Sequence, residues 1–303
     1  MAPVDPDLAL RQEAVARARQ LAQHYDDLVP LTRLREGFEF AGTRVSFGSF
    51  QRGIHRAQIQ DGPAALTLTT SFKDPYADTF DQAGALFTYG YRTGPIDQPD
   101  NRALRAAYEL RTPLVYFRAL APSQYLVVAP MFVTADDPGA RAVVLEPGLP
   151  IQDMQPGGLV SGPEMRAYTT RETRIRLHQQ RFKLDVMRAY RNRCAICALR
   201  ERSLVQAAHI VPDVEPEGIA AVVNGLALCA IHHLAFDRNV LGIDPDGVVH
   251  IARRLLEETD GPMLRTGLQG FHGQAISLPR RPADRPDRVR LELRFERFER
   301  AAA

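Results

Sequence analysis

The spacing of apolar residues divides the first half of the chain into segments with different periods. Between Leu8 and Tyr25 apolar residues recur at intervals of three and four with alanines between them, which predicts a helix. Between Phe38 and Val133 short alternating or apolar runs are separated by Gly, Pro and Asp. This pattern predicts a mostly β domain, such as a small barrel, with one helical insert at NRALRAAYEL.

A change of composition separates this part from the remainder. The stretch EPGLPIQDMQPGGLVSGP is rich in Pro and Gly and predicts a linker over residues 146–163, between domains at 1–145 and 164–303. A helix is expected directly after it. Further on, DPDG predicts a turn between two short strands, LPRRPADRPDR a loop, and VRLELRF a final strand. The pattern as a whole predicts an α+β protein.

Composition excludes several classes. The chain has 303 residues, of which 45% are hydrophobic and 24% charged, as in ordinary globular proteins. There is no run of about 18 apolar residues that would span a membrane, and the N-terminal sequence lacks the apolar core of a signal peptide. We therefore expect a cytoplasmic protein without disulfides.

Positive charge is concentrated in one segment. The net charge of the chain is +2, yet residues 164–200 contain ten Arg or Lys against three acidic residues. A basic stripe on a helix is typical of proteins that bind nucleic acids, and equally of a solvated helix in an arginine-rich chain. Charge alone leaves both interpretations open.

All three cysteines lie close to histidines at metal-ligand spacing. Cys194 and Cys197 form one Cys-x-x-Cys pair, and Cys229 and His232 form a second pair about thirty residues later. Two such pairs make a closed tetrahedral Cys₃His site, which suits a structural zinc ion. A closed site has no open coordination position for chemistry, so any catalysis requires a second centre.

Residues that could form that centre alternate with the zinc ligands. The sequence CAIC…AAHIVP…NGLALCAIHHLAFD resembles the HNH nucleases, in the subclass whose ββα-metal core is held by zinc. The letters of the motif correspond to His209, Asn224 and His233. The resemblance implies that the catalytic residues are these three, with Asn224 bracing the loop that holds His209.

The residue types suit phosphodiester hydrolysis. A histidine titrates near neutral pH, so His209 is the candidate general base. His233 and Asp237 are spaced i, i+4 on a predicted helix and can bind one divalent ion, Mg²⁺ or Mn²⁺. Many HNH enzymes have an Asp or His ligand directly before the base, whereas this chain has Ala208. Taken singly, His209 could be a core histidine and Asp237 a cap or ion-pair residue.

The N-terminal part resembles the SRA family, β domains that read modified cytosine by flipping it out of the duplex. The similar segments, in the family's order, are RGIHRAQI, DPYAD, LFTYGYRTG and DNRALRAAYELRTPLVYFRAL. The Thr that follows the pocket Tyr in that family is Gly90 here. The resemblance implies a mostly β SRA-like barrel.

A flipped base is held between aromatic faces and read along its Watson–Crick edge. We expect Tyr76 and Tyr89 to stack on the base and Asp78 to accept from the cytosine amino group, with weaker candidates in Tyr91 and Phe72. His55 and Arg56 are candidate DNA contacts. The alternative is that the aromatic residues belong to the core and Asp78 to a turn.

The two resemblances together are those of SRA-HNH modification-dependent restriction endonucleases. They imply cleavage of double-stranded DNA carrying 5-methylcytosine or 5-hydroxymethylcytosine. Since each HNH site cuts one strand, a double-strand break implies a homodimer. The sequence leaves two alternatives open: an HNH endonuclease directed to unmodified or differently modified DNA, and a non-catalytic zinc-stapled DNA binder.

Overall fold

The structure is a computed structural model that describes residues 5–48, 50, 52–72, 87–148 and 163–302. The chain divides into two compact units, residues 1–180 and 181–303. The expected linker, 146–163, lies almost wholly outside the described residues, so the predicted domain boundaries stay a prediction. Among the described helices, none is long and apolar enough to cross a membrane.

The first unit begins with the predicted helix, α1 (Leu8–His24). Its apolar face, which includes Ala14, Val15 and Ala18, is buried against the sheet. Arg11 on the same helix is fully buried, and its guanidinium donates to the carbonyl oxygens of Ala64 and Ala65 and pairs with Asp5. These bonds satisfy the buried charge.

Nine strands are found among the described residues of this unit. They are β1 (Leu28–Pro30), β2 (Phe38–Phe40), β3 (Thr43–Val45), β4 (Ile54–His55), β5 (Thr67–Thr69), β6 (Phe87–Gly90), β7 (Leu114–Ala121), β8 (Gln124–Asp137) and β9 (Ala142–Pro147). Two helices lie between them, α2 (Leu31–Leu34) and α3 (Pro99–Glu109), the latter at the predicted insert.

Seven of the strands form one curled sheet in the order β4-β5-β7-β8-β9-β6, with β1 also paired to β8. The first half of β8 pairs with β1 and β7, and its second half pairs with β9. The long strand therefore connects β1 and β7 to β9 within the sheet. All pairs are antiparallel except β5 with β7. The predicted α+β class is confirmed.

A long basic helix, α4 (Pro163–Ala189), follows as predicted. Residues up to Gln180 belong to the first unit, where Arg176 pairs with Asp27 and Gln180 donates to the Asp26 carbonyl oxygen at 2.8 Å. From Arg181 onward the helix belongs to the second unit. There Phe182 and Val186, together with Tyr190 just after the helix, are buried in the core, so this end of the helix has a structural role.

The second unit contains two β-hairpins and short helices. Its elements are β10 (Val205–His209), β11 (Gly225–Cys229), α5 (Ala230–Asp237), β12 (Leu241–Ile243), β13 (Val249–Ile251), α6 (Arg253–Leu256), α7 (Pro262–Gly267) and α8 (Arg288–Ala302). The DPDG sequence forms the predicted turn between β12 and β13.

The prediction of a final strand at VRLELRF is wrong, because these residues begin helix α8. The alternation within seven residues is the period of a strand, but the apolar positions continue to Phe298. Leu291 and Phe298 are seven residues apart, share one helix face and are both buried. The flanking Glu, Arg and Ala residues are strong helix formers.

Candidate active site and metal centre

The hairpin of β10 and β11 followed by α5 makes a ββα unit that carries most of the candidate residues. The strands are antiparallel, with Val205 opposite Cys229 and His209 opposite Gly225. Gly225 is required here, since a Cβ at this position would lie 2.3 Å from Val186 Cγ2 on α4. The close approach brings the helix against the end of the hairpin where His209 lies.

The four residues predicted to bind zinc come together as predicted. The ligand atoms of Cys194, Cys197, Cys229 and His232 all lie within 4.8 Å of one another. The Sγ atoms of Cys197 and Cys229 are 3.8 Å apart. Tetrahedral zinc with Zn–S bonds of about 2.3 Å requires a sulfur–sulfur separation of about 3.8 Å. The cluster can therefore hold a zinc ion.

The surroundings of His232 also suit a metal ligand. Its Nε2 lies 2.8 Å from the Gly267 carbonyl oxygen, which can only accept, so Nε2 carries the proton and Nδ1 keeps its lone pair. Nδ1 is the atom that faces the Cys194 and Cys229 sulfurs, at 3.4 and 3.2 Å. Such an outer hydrogen bond orients a ligating histidine. The neighbouring Cys229 thiol lowers the pKa of Cys194, which favours the thiolate that zinc binds.

His209 lies at the end of β10 and packs against α4. Its ring is stacked on that of Phe182, with centroids 3.9 Å apart and planes 9° from parallel. Its Nε2 is buried and has no hydrogen-bond partner among the described residues. Burial lowers the pKa of His209, and the charge of His233 adds to this effect while Asp213 opposes it. Burial thus favours the neutral form of the ring, which can accept a proton.

Asn224 is fully buried directly before β11 and braces the segment after His209. Its Nδ2 donates to the carbonyl oxygens of Val211 and Ile219 at 2.8 and 2.9 Å, and its Oδ1 accepts from the Val211 amide at 3.0 Å. The Ile210 amide in turn donates to the Asn224 carbonyl oxygen. These contacts are of the kind that the resemblance implies for this residue.

His233 and Asp237 lie one turn apart on α5. His233 Nε2 is 3.4 Å from Asp237 Oδ2, and its Nδ1 is 2.7 Å from Gln206 Oε1 on β10. With Gln206 accepting from Nδ1–H, Nε2 and the carboxylate are left as two ligand atoms for a hard cation. Ala208 is fully buried and brings no third ligand.

Helix α8 supplies two supports that the sequence pattern did not suggest. Arg294 donates to the Phe236 carbonyl oxygen and to Asn239 at the end of α5, and stacks on the Phe236 ring. Arg297 pairs with Glu215, in the loop that follows His209. The helical spacing of apolar residues beyond Phe295 could have predicted α8 from the sequence. It could not have predicted the partners of Arg294 and Arg297. Gln206, a polar residue in a short strand, likewise carried no signal in the sequence.

The candidate base pocket is only partly described. Tyr76 and Asp78 lie outside the described residues. Tyr89 on β6 is 8% exposed, its hydroxyl donates to the Thr69 carbonyl oxygen at 3.1 Å, and its ring meets Tyr116 edge-on. Phe72 is 48% exposed, whereas Tyr91 is buried with its hydroxyl bonded to Asp136. The roles of these residues toward a base stay predictions.

The two candidate DNA contacts of the first unit are engaged with the backbone. Arg56 donates from Nε to the Gly62 carbonyl oxygen and from Nη2 to that of Gln60, both at 2.7 Å. His55 Nε2 lies 3.2 Å from the Ser46 carbonyl oxygen, and burial lowers the pKa of His55. Arg56 therefore stabilises its own loop, and contact of either residue with DNA stays a prediction.

Comparison with known proteins identifies the ββα unit. Residues 194–244 match the family described as HNH endonuclease, a range that includes all four residues of the Cys₃His cluster and all three letters of the motif. No curated protein matches the chain. One solved structure, titled as a modification-dependent TagI restriction endonuclease, aligns over 80% of this chain and 84% of its own with 16% identity and a TM-score of 0.29. Residues 194–244 thus form an HNH endonuclease domain, and the protein is a DNA endonuclease.

Proposed function

We propose that the protein is a modification-dependent endonuclease that recognises 5-methylcytosine or 5-hydroxymethylcytosine by base flipping and cleaves with its HNH site. The observation that carries the catalytic half is the arrangement of His209, Asn224 and His233 on one hairpin and helix. The Cys₃His cluster connects the segment before β10 to the junction of β11 and α5. A zinc ion there would have four protein ligands, so it would stabilise the unit and take no part in hydrolysis.

His209 is the proposed general base. Its ring is held by Phe182 and its pKa is lowered by burial, so it is neutral and able to take a proton from the attacking water. The three side-chain hydrogen bonds of Asn224 hold the chain immediately after His209 and so fix where the ring lies. Asn224 acts as a positioning residue in this proposal.

His233 and Asp237 are the proposed ligands of the catalytic ion, Mg²⁺ or Mn²⁺. A nitrogen and a carboxylate oxygen 3.4 Å apart can bind one cation, and Gln206 orients the histidine. When bound, the ion would supply positive charge to the non-bridging and leaving oxygens of the phosphodiester. Two protein ligands suit Mg²⁺, which keeps several waters.

The modified-base reader is proposed from the first unit. Two of the segments that resemble the SRA family meet at Thr69: its amide donates to the Gly53 carbonyl oxygen at 2.7 Å, and its own carbonyl oxygen accepts from the Tyr89 hydroxyl. Thr69 comes shortly before the DPYAD segment that carries Tyr76 and Asp78. This convergence, within a curled sheet, supports a pocket formed by those residues.

We further propose that two copies act together on double-stranded DNA. One HNH site cuts one strand, so a double-strand break requires a second site on the other strand. The mass of the protein measured by light scattering, alone and with a modified duplex, tests this. A monomer on a single modified site that nevertheless makes double-strand breaks contradicts the proposal.

The function is tested with one plasmid in two forms, unmodified and carrying 5-methylcytosine, incubated with the protein and Mg²⁺ or Mn²⁺. We expect nicks and breaks only in the modified form, and none with a chelator. Equal cleavage of both forms would retain the endonuclease and reject the reader. Tyr76→Ala and Asp78→Ala should each remove the selectivity, whereas Tyr108→Ala, on the exposed side of α3, should not.

A further inference from the structure

Five arginines surround two adjoining clefts at the end of α4 in the second unit. The clefts have volumes of about 410 and 170 Å³, and both are lined by Ala189, Arg191 and Arg280. We call them together the arginine cleft, which is lined by Arg188, Arg191, Arg193, Arg280 and Arg281, with Asp185 and Asp284 as its acidic residues.

The acidic residues leave most of this charge uncompensated. Arg188 and Arg281 lie 3.6 and 3.8 Å from Asp185 and Asp284, and both arginines are more than 60% exposed, at 62% and 81%. Contacts this long between exposed groups contribute little. The guanidinium groups of the other three arginines have no hydrogen-bond or ion-pair partner among the described residues.

The backbone that carries these arginines is hydrogen-bonded to the hairpin of β10 and β11. The amide of Ala195, beside Arg193, donates to the Ala227 carbonyl oxygen at 2.7 Å. The Ser277 amide, near Arg280, donates to the Ala195 carbonyl oxygen at 2.7 Å. The guanidinium groups thus extend from a base that is fixed relative to β11, and a ligand bound by them is held at a fixed position relative to the active site.

We propose that the arginine cleft binds the phosphodiester backbone of DNA outside the cleavage site. Like charges that face one cleft repel one another unless an anion joins them, and the guanidinium fork matches phosphate oxygens. Contacts with phosphates position the duplex without reading its sequence. The proposal rests on the endonuclease activity and is independent of the modified-base reader.

The test is the affinity of the full-length protein for a short duplex, with no added divalent cation, over a range of salt concentrations. Each phosphate contact contributes a slope of about 0.9 in log K against log salt, equivalent to about fivefold in affinity at 0.15 M salt. Replacing Arg191, Arg193 and Arg280 together by Ala should therefore weaken binding about a hundredfold and reduce the slope by about 2.7.

Arg254→Ala is the matched control, since the Arg254 side chain is exposed, unpaired among the described residues and outside both clefts. It should change affinity and slope little beyond the effect of one distant charge. Thermal unfolding of every variant verifies folding. An unchanged slope in the triple variant, or a fold-loss of affinity no larger than the fold-loss of Arg254→Ala raised to the third power, would overturn the proposal.

Modified and unmodified duplexes separate this proposal from the proposed function. The triple variant should weaken binding of both by the same factor, because phosphates do not differ between them. A loss confined to modified DNA would overturn the phosphate assignment. If the wild type shows no selectivity for modified DNA, the reader fails while the uniform loss still supports the arginine cleft.

Discussion

The imidazole of His209 lies flat on the phenyl ring of Phe182, with ring centroids 3.9 Å apart. Phe182 comes from the basic helix α4 and is 3% exposed, so the helix provides one wall of the candidate active site. The stack restricts rotation of the imidazole and removes water from one of its faces.

Phe182→Leu should lower kcat about tenfold and leave KM nearly unchanged, because a misplaced base impairs the reaction more than binding. The aromatic pair itself contributes about 1 kcal/mol, so stability falls modestly. Met187→Leu, a volume-conserving change on the same helix and in the same hydrophobic core, is the control. Equal losses of kcat in both variants would show that packing, not the stack, is responsible.

His209→Ala should lower the rate of cleavage by a factor of about 10² to 10⁴. DNA binding should stay within about twofold of the wild type. Single-turnover cleavage and a binding isotherm measure the two quantities separately. Cleavage at the wild-type rate would remove His209 from the role of base.

The activity should persist to lower pH than an ordinary histidine allows. Burial lowers the pKa of His209 below the usual histidine value of 6.5, so the base takes up a proton only at more acidic pH. The acidic limb of kcat/KM should therefore have its midpoint below 6.5. A cation bound at His233 would shift it in the same direction. A midpoint at or above that value would contradict the assignment.

His232 and His233 are adjacent in the sequence, but substitutions at the two positions should have different effects. His232→Ala should lose zinc and unfold at a temperature lower by more than about 10 °C, since structural zinc contributes several kcal/mol. His233→Ala should keep zinc and its unfolding temperature but lose cleavage. Elemental analysis and thermal melts measure both. Zinc retained at full stoichiometry in His232→Ala would exclude that residue as a ligand.

Gln206→Ala should weaken binding of the catalytic ion about 10- to 100-fold, because the outer hydrogen-bond partner of a ligating histidine orients the imidazole ring. Raised Mn²⁺ concentration should restore cleavage. Gln206→Glu keeps an acceptor for His233 Nδ1 and should retain most of the affinity. Full activity of Gln206→Ala at limiting metal would show that the contact is dispensable.

The sequence by itself determined what is encoded within a few neighbouring residues. The Cys-x-x-Cys and Cys-x-x-His pairs predicted the metal cluster, because a short knuckle brings two ligands together whatever surrounds it. The helical period predicted α1, and the DPDG turn predicted the β12–β13 hairpin. In contrast, seven alternating residues were too few to distinguish a strand from the start of α8.

Only the tertiary structure decided which distant residues meet. Gln206 and His233 are 27 positions apart, and Arg294 reaches Phe236 across 58, separations at which no local period constrains the contact. The stack of Phe182 on His209 and the arginine cleft arise in the same way, from elements that pack against one another to bury apolar surface. That burial is driven by the core of the whole unit, so the partners of its polar side chains follow from the fold and not from the local sequence.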